Sequence, residues 1–159
     1  MLEVAEALEN AKEELKRADH LLYVSLKYTR TVDVIKSIVE RLINTFDYSF
    51  EALLLAAKKQ GKIPKIPELP RPKAELVSQV YGDDVCKNYL QFYLLMRKID
   101  KARFDRALEY RRHVTMTAHL EHEKVEITID IINDYYDRAK EFLAYVERAV
   151  NAGSAEDEE

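Results

Sequence analysis

The polar groups with the widest chemical reach gather in one stretch, EYRRHVTMTAHLEHE, residues 109–123. It holds three of the four histidines, His113, His119 and His122, together with the pair Arg111-Arg112. An imidazole titrates near pH 6.5, about where it can both take and give a proton in neutral water. A guanidinium stays charged and presents a planar fork of donors that matches phosphate oxygens. Histidines reached through positive charge suit the cleavage of a phosphodiester, and such an approach is present. Arg97 through Arg112 contains seven Lys or Arg against Asp100, Asp105 and Glu109. The same stretch also reads as a solvated, charged connection without activity.

Other chemistries find less to work with. A di-iron bundle needs Glu-x-x-His on two helices, and no histidine here has a Glu three residues before it. His119 and His122 are three apart, with Glu123 or the distant His20 as further ligands, which is an incomplete set for zinc. No metal or other cofactor is expected. Phosphate-binding and dinucleotide glycine loops are absent, as is a Gly-x-Ser-x-Gly elbow. The single cysteine, Cys86, rules out an internal disulfide, fits a reducing compartment and reads as a buried, inert thiol. The ten tyrosines are first of all packing residues, since several fall on or beside apolar stripes.

The elements that must position these groups are helices. Three glycines and four prolines in 159 residues are too few for a barrel or sandwich with many tight turns. Val4, Leu8, Ala11, Leu15, Ala18, Leu22 and Leu26 form one helical stripe; Ile35, Ile38, Leu42, Phe46, Leu53 and Ala57 form another. Sixty residues in one helix would run about 90 Å, so a break is expected at Thr29-Arg30-Thr31, with Thr31 capping the second helix. All four prolines lie in GKIPKIPELPRP, expected to be an extended crossover. A short helix over 73–81 follows. Asp83 or Asp84 then caps a helix carrying Val85, Tyr89, Phe92, Met96 and Ile99, and a last helix carries Ile127, Ile131, Tyr135, Phe142, Val146 and Ala149. Gly61, Gly82 and Gly153 are expected as left-handed helix-closing residues. Residues 103–124 lose the helical period, and VTMT is poor helix material. The expected fold is all-α: an antiparallel up-and-down bundle of four long helices plus a short one, with a Pro-rich crossover. Residues 1–152 form one domain and 153–159 a flexible acidic tail.

A net charge of −4 argues against a generally basic coat for nucleic acid but leaves room for a local basic site. No apolar run approaches the roughly 20 residues that span a bilayer. The first residues, MLEVAEALENAKEELKR, are charged every few positions, unlike a signal peptide. A cytoplasmic protein without membrane contact is expected.

Arg112-His113, then VTMTA, then His119 is an Arg followed by six residues and a His. In this motif, and in the order of two long helices, a crossover and two more, the chain resembles the HEPN superfamily of small helical ribonuclease and toxin-like domains. That family carries Arg-x4–6-His near the start of its last long helix, often with Asn, Asp or His after the Arg. The resemblance implies a metal-independent endoribonuclease, acting through 2′-hydroxyl attack, of the kind that serves as the toxin of a toxin–antitoxin pair. It assigns catalysis to Arg112, His119 and His113, with RNA contacts at Arg103, Arg106 and Arg111. It also implies a homodimer, with no DNA specificity. Where toxins of this kind are controlled by a nucleotidyltransferase antitoxin, a Tyr stands two residues after the His; here that residue is Glu121. Control by modification of a Tyr is thus not implied, whereas non-covalent pairing with such an antitoxin is. The alternative is a non-catalytic helical module that binds a protein or RNA partner.

Overall fold

The computed structural model describes residues 3–158. Helix α1 (Val4–His20) passes through a π-helical turn (Leu21–Ser25) into α2 (Leu26–Tyr28), so that residues 4–28 form one rod. Ala7, Ala11 and Ala18 are fully buried along it, and such small side chains let α1 lie close to its neighbour. Thr31 caps α3 (Val32–Lys59), its hydroxyl accepting from Val34 N–H at 3.4 Å, which is the break and the cap that the sequence implies. Helix α3 ends in a Schellman closure. Gly61 N–H donates to Lys58 O, Lys62 N–H donates to Ala57 O, and Gly61 takes φ +76°.

The other two glycines act differently from expectation. Neither has positive φ. A Cβ at Gly82 would stand 2.7 Å from the backbone oxygen of Ser78, and one at Gly153 would meet the Gln60 side chain. Close approach to backbone, not handedness, is what Gly82 requires, whereas at Gly153 the Gln60 side chain can move aside.

The proline crossover is anchored by the buried Ile63. Its last prolines belong to a helix: α4 (Pro70–Val80) begins with Pro in its first turn, where the missing N–H has no role. Asp83 caps α5 (Asp84–Lys101) by accepting from Cys86 N–H at 2.7 Å. Helix α6 runs Ile129–Glu158. The helix therefore continues through most of the segment expected to be a flexible acidic tail, in line with its Ala and Glu content; Glu159 lies outside the described residues.

Contacts fix the helix directions. Asp19 and Lys12 meet Tyr136 and Glu147, so α1 and α6 run oppositely. Lys36 and Asp47 meet Asp100 and Tyr93, so α3 and α5 do too. Phe46, Phe50, Phe92, Tyr93 and Phe142 interlock at the centre; the Phe46 and Phe142 rings stack at 4.4 Å. Four long rods and one short helix match the up-and-down bundle in outline.

The all-α expectation is corrected between α5 and α6. Residues 103–127 make a three-stranded antiparallel sheet: β1 (Arg103–Ala107), β2 (Thr115–His119) and β3 (Lys124–Ile127), in the order β1-β2-β3. The lost helical period marks it, and the alternation is plain in β2, where Met116 and Ala118 are fully buried while Thr115, Thr117 and His119 face outward. Ile127, expected on the last helix, is the buried end of β3, and Ile131 is 37% exposed on α6. The inner face of α6 runs instead through Ile132, Tyr135, Tyr136, Ala139, Phe142 and Val146. No helix among the described residues is long and apolar enough to cross a membrane.

Candidate functional site

The strands sort the candidate residues by pleat and by register. Arg103 lies opposite His119, and His119 opposite Lys124, so one cross-strand row reads Arg103–His119–Lys124 on the outer face of the sheet. Asp105, two residues along β1 on the same face, reaches diagonally. Its Oδ2 is 2.6 Å from His119 Nε2. The His119 side chain is 23% exposed and that of Asp105 73%, so the pair is open to solvent on the carboxylate side. Nε2–H donated to Asp105 leaves Nδ1 with the ring's lone pair.

The tight turn from β2 to β3, closed by Leu120 N–H donating to Glu123 O at 2.9 Å, brings His122 round to the same place. His119, His122, Glu121 and Glu123 line a cleft of about 390 Å³ with Lys98 and Lys101 from the end of α5. Two histidines and two lysines thus share one open cleft with two carboxylates, and the exposed His122 Nε2 lies 3.7 Å from Glu121 Oε1. Neither lysine has an ion-pair partner among the described residues. The C-terminal end of α5 is held by Lys36, whose ammonium donates to both the carbonyl and the carboxylate of Asp100. That contact fixes where Lys98 and Lys101 emerge.

The Arg-x6-His motif is divided. Arg111, Arg112 and His113 sit exposed in the loop between β1 and β2, whereas His119 ends β2 at the far side of the sheet. From Thr115 to His119 alone the strand rises about 13 Å at roughly 3.3 Å per residue, and Arg112 lies beyond Thr115. Within one protomer Arg112 and His113 therefore stand at the other end of β2 from His119. His113 contributes its carbonyl to the Thr115 hydroxyl at 2.8 Å, a contact of the loop itself.

Arg106 faces inward, over the Phe104 ring, and bonds Asp33 at 2.8 Å with Glu109 at 3.7 Å. This hydrogen bond lowers the pKa of Asp33 and raises that of Arg106. Glu109 also accepts from Val32 N–H at 3.0 Å, the open end of α3. Arg106 and Glu109 thus dock the β1–β2 hairpin on the bundle. Of the expected RNA contacts, Arg103 alone accompanies His119.

Sequence reasoning missed Lys98, Lys101 and Asp105 as partners of His119. The signal was available in RFDRA and TMTAH, where a period of two places Arg103 with Asp105 and Thr117 with His119 on a common face. Among the described residues no group of three or more His, Cys, Asp or Glu is placed to hold a metal ion. No family model, curated protein or solved structure matches the chain.

Proposed function

We propose that the chain is a metal-independent, HEPN-like endoribonuclease whose working groups surround His119 rather than Arg112. The observation that carries this is the cleft holding two histidines and two unpaired lysines, with Asp105 bonded to one histidine. Cleavage by the neighbouring hydroxyl needs a base, an acid and positive charge near the phosphate, and no more.

His119 Nδ1 takes the proton of the RNA 2′-hydroxyl, and the freed oxygen attacks the adjacent phosphorus. Charge grows on the non-bridging oxygens and is met by the ammonium groups of Lys98 and Lys101. The bond from phosphorus to the 5′ oxygen breaks, and that oxygen takes a proton from the imidazolium of His122. The products are a 2′,3′-cyclic phosphate and a 5′-hydroxyl. Asp105 is a positioning residue: its bond to Nε2 holds the His119 ring orientation and tautomer. Arg103 and Lys124, either side of His119, draw in the flanking phosphates.

The test is incubation of single-stranded RNA with purified protein in EDTA, beside His119→Ala, His122→Ala and Lys98→Ala. Cyclic-phosphate ends that vanish with His119→Ala are expected. Cleavage equal in all four proteins would remove the cleft from the reaction. RNA binding that needs Lys98, with no cleavage by any of them, would leave the non-catalytic module.

A further inference from the structure

A second hollow of about 570 Å³ lies along α5 between the cleft and the proline crossover, and Lys98 and Lys101 line both. Its other walls are Arg97 from α5 and Leu69, Pro70 and Arg71 from the start of α4. Four cations line it, in a chain whose net charge is −4; of these Arg71 also meets the Glu75 carboxylate at 3.4 Å, one turn along α4. Arg97 and Lys101 are one helical turn apart, about 6 Å along the axis, so their charges follow the groove rather than gathering at one point. Opposite them Leu69 is 67% exposed beside Pro70, an apolar shelf with no covering side chain. The Arg97 guanidinium is held at 5.8 Å from the Tyr93 ring centroid and leans on the Tyr93 hydroxyl, so this cation is fixed in place.

We infer that this hollow is a track for single-stranded RNA leading into the His119 cleft, seating several nucleotides beyond the scissile bond. The inference rests on the ribonuclease reading for the direction of the track but not for its existence. A single strand supplies what the walls ask for: a row of phosphates for Arg97, Lys98, Lys101 and Arg71, and flat, partly apolar bases to lie on Leu69 and Pro70. An acidic peptide offers the charge without the planar faces. A duplex has its bases stacked inside and cannot lay them on the shelf.

The experiment measures fluorescence anisotropy of 2′-O-methyl oligouridylates, which resist cleavage, at two and at eight nucleotides. The longer probe is expected to bind at least tenfold tighter to the full chain. Arg71→Glu with Leu69→Ser, both exposed positions, is expected to erase most of that gain. Arg97→Gln is expected to lower the slope of log affinity against log salt by about 0.7, the loss of one single-strand phosphate contact. Circular dichroism confirms that each variant is folded. Equal affinity for the two lengths, an unchanged gain in the double variant, or displacement by polyglutamate of matched charge would overturn the track. Cleavage of a dinucleotide reads the His119 cleft separately. Its absence beside an intact, variant-sensitive length effect removes the chemistry and keeps the track.

Discussion

Asp105 and His119 are not opposite each other in the ladder. Asp105 faces Thr117, yet its carboxylate reaches diagonally to His119 Nε2 at 2.6 Å. A diagonal on one face of an antiparallel pair spans roughly 7–8 Å between backbones, a gap that these two side chains bridge. Asp105→Asn is expected to lower kcat about tenfold with KM little changed, because the ring loses the carboxylate that orients it. His119→Ala removes about 10²–10⁴ of the rate, the usual contribution of a proton-transfer group. A kcat equal to wild type in Asp105→Asn, with KM also unchanged, would show that the carboxylate does not position the ring.

Arg103 and Arg112 provide a paired comparison. Arg103 stands beside His119, and Arg112 stands past the other end of β2. Arg103→Ala is expected to weaken RNA binding and to lower its salt slope by about 0.7. Arg112→Ala is expected to leave cleavage within about twofold, because Arg112 lies in the loop past the other end of β2, whose four steps rise about 13 Å at roughly 3.3 Å per residue. A thousandfold loss in Arg112→Ala would show that the Arg of one protomer serves the cleft of another, and would restore the motif as a shared site.

Stability should rise on mild acidification through Asp47. This carboxylate accepts from Tyr93, and burial pushes its pKa above the ordinary 3.8, against the pull of that hydrogen bond, Arg97 and Lys73. A raised folded-state value means that the native protein binds the proton first. Stability therefore grows as pH falls through the Asp47 folded value, and the gain is complete below 3.8. Asp33 works the other way and lower down: its lowered value gives stability that is present above 3.8 and lost as pH falls through the folded value. Urea titrations between neutral pH and the unfolded value would show the Asp47 slope, and Asp47→Asn would abolish it. An unchanged slope in the variant would assign the effect to another group.

Cys86 should resist thiol reagents in the native state. It is fully buried, and burial together with the Asp83 carboxylate pushes its pKa up to about 11. Labelling is expected to follow global unfolding and to accelerate in urea. Stoichiometric labelling within minutes in buffer would contradict this.

The hairpin loop holds two bulky residues at positive φ, Leu108 at 55° and Tyr110 at 64°, with exposures of 49% and 77%. Each such conformation costs roughly 1–2 kcal/mol outside glycine. Tyr110→Gly keeps its backbone N–H bond to the Arg30 carbonyl and is expected to stabilise the fold by about 1 kcal/mol, because glycine adopts this region freely. Thermal unfolding checks it; a lower melting temperature would mean that the ring makes a contact that outweighs the strain.

The helices were legible because their signals are local. The stripe from Ile35 to Ala57, Thr31 as a cap and Gly61 as a left-handed stop all act within a turn or two of themselves. The sheet was half legible: residues 103–124 announced only that they were not helix. Pairing depends on register between strands, and β1 and β2 are joined by a seven-residue loop, Leu108 to Val114, with no tight-turn pair to fix it. The site was the least legible part. Lys98 and Lys101 come to His119 through the end of α5, and that meeting depends on Lys36 holding Asp100 from another helix. Spacing along a chain carries no record of such a contact.

The pleat of β2 gives neighbouring positions separate duties. Met116 and Ala118 answer to the interior, and Thr115, Thr117 and His119 answer to whatever approaches from water. Substitution at an odd-numbered position therefore disturbs the packed interior less than substitution at Met116 or Ala118. A chain built this way keeps what fastens the sheet to the bundle separate from what the sheet offers to water.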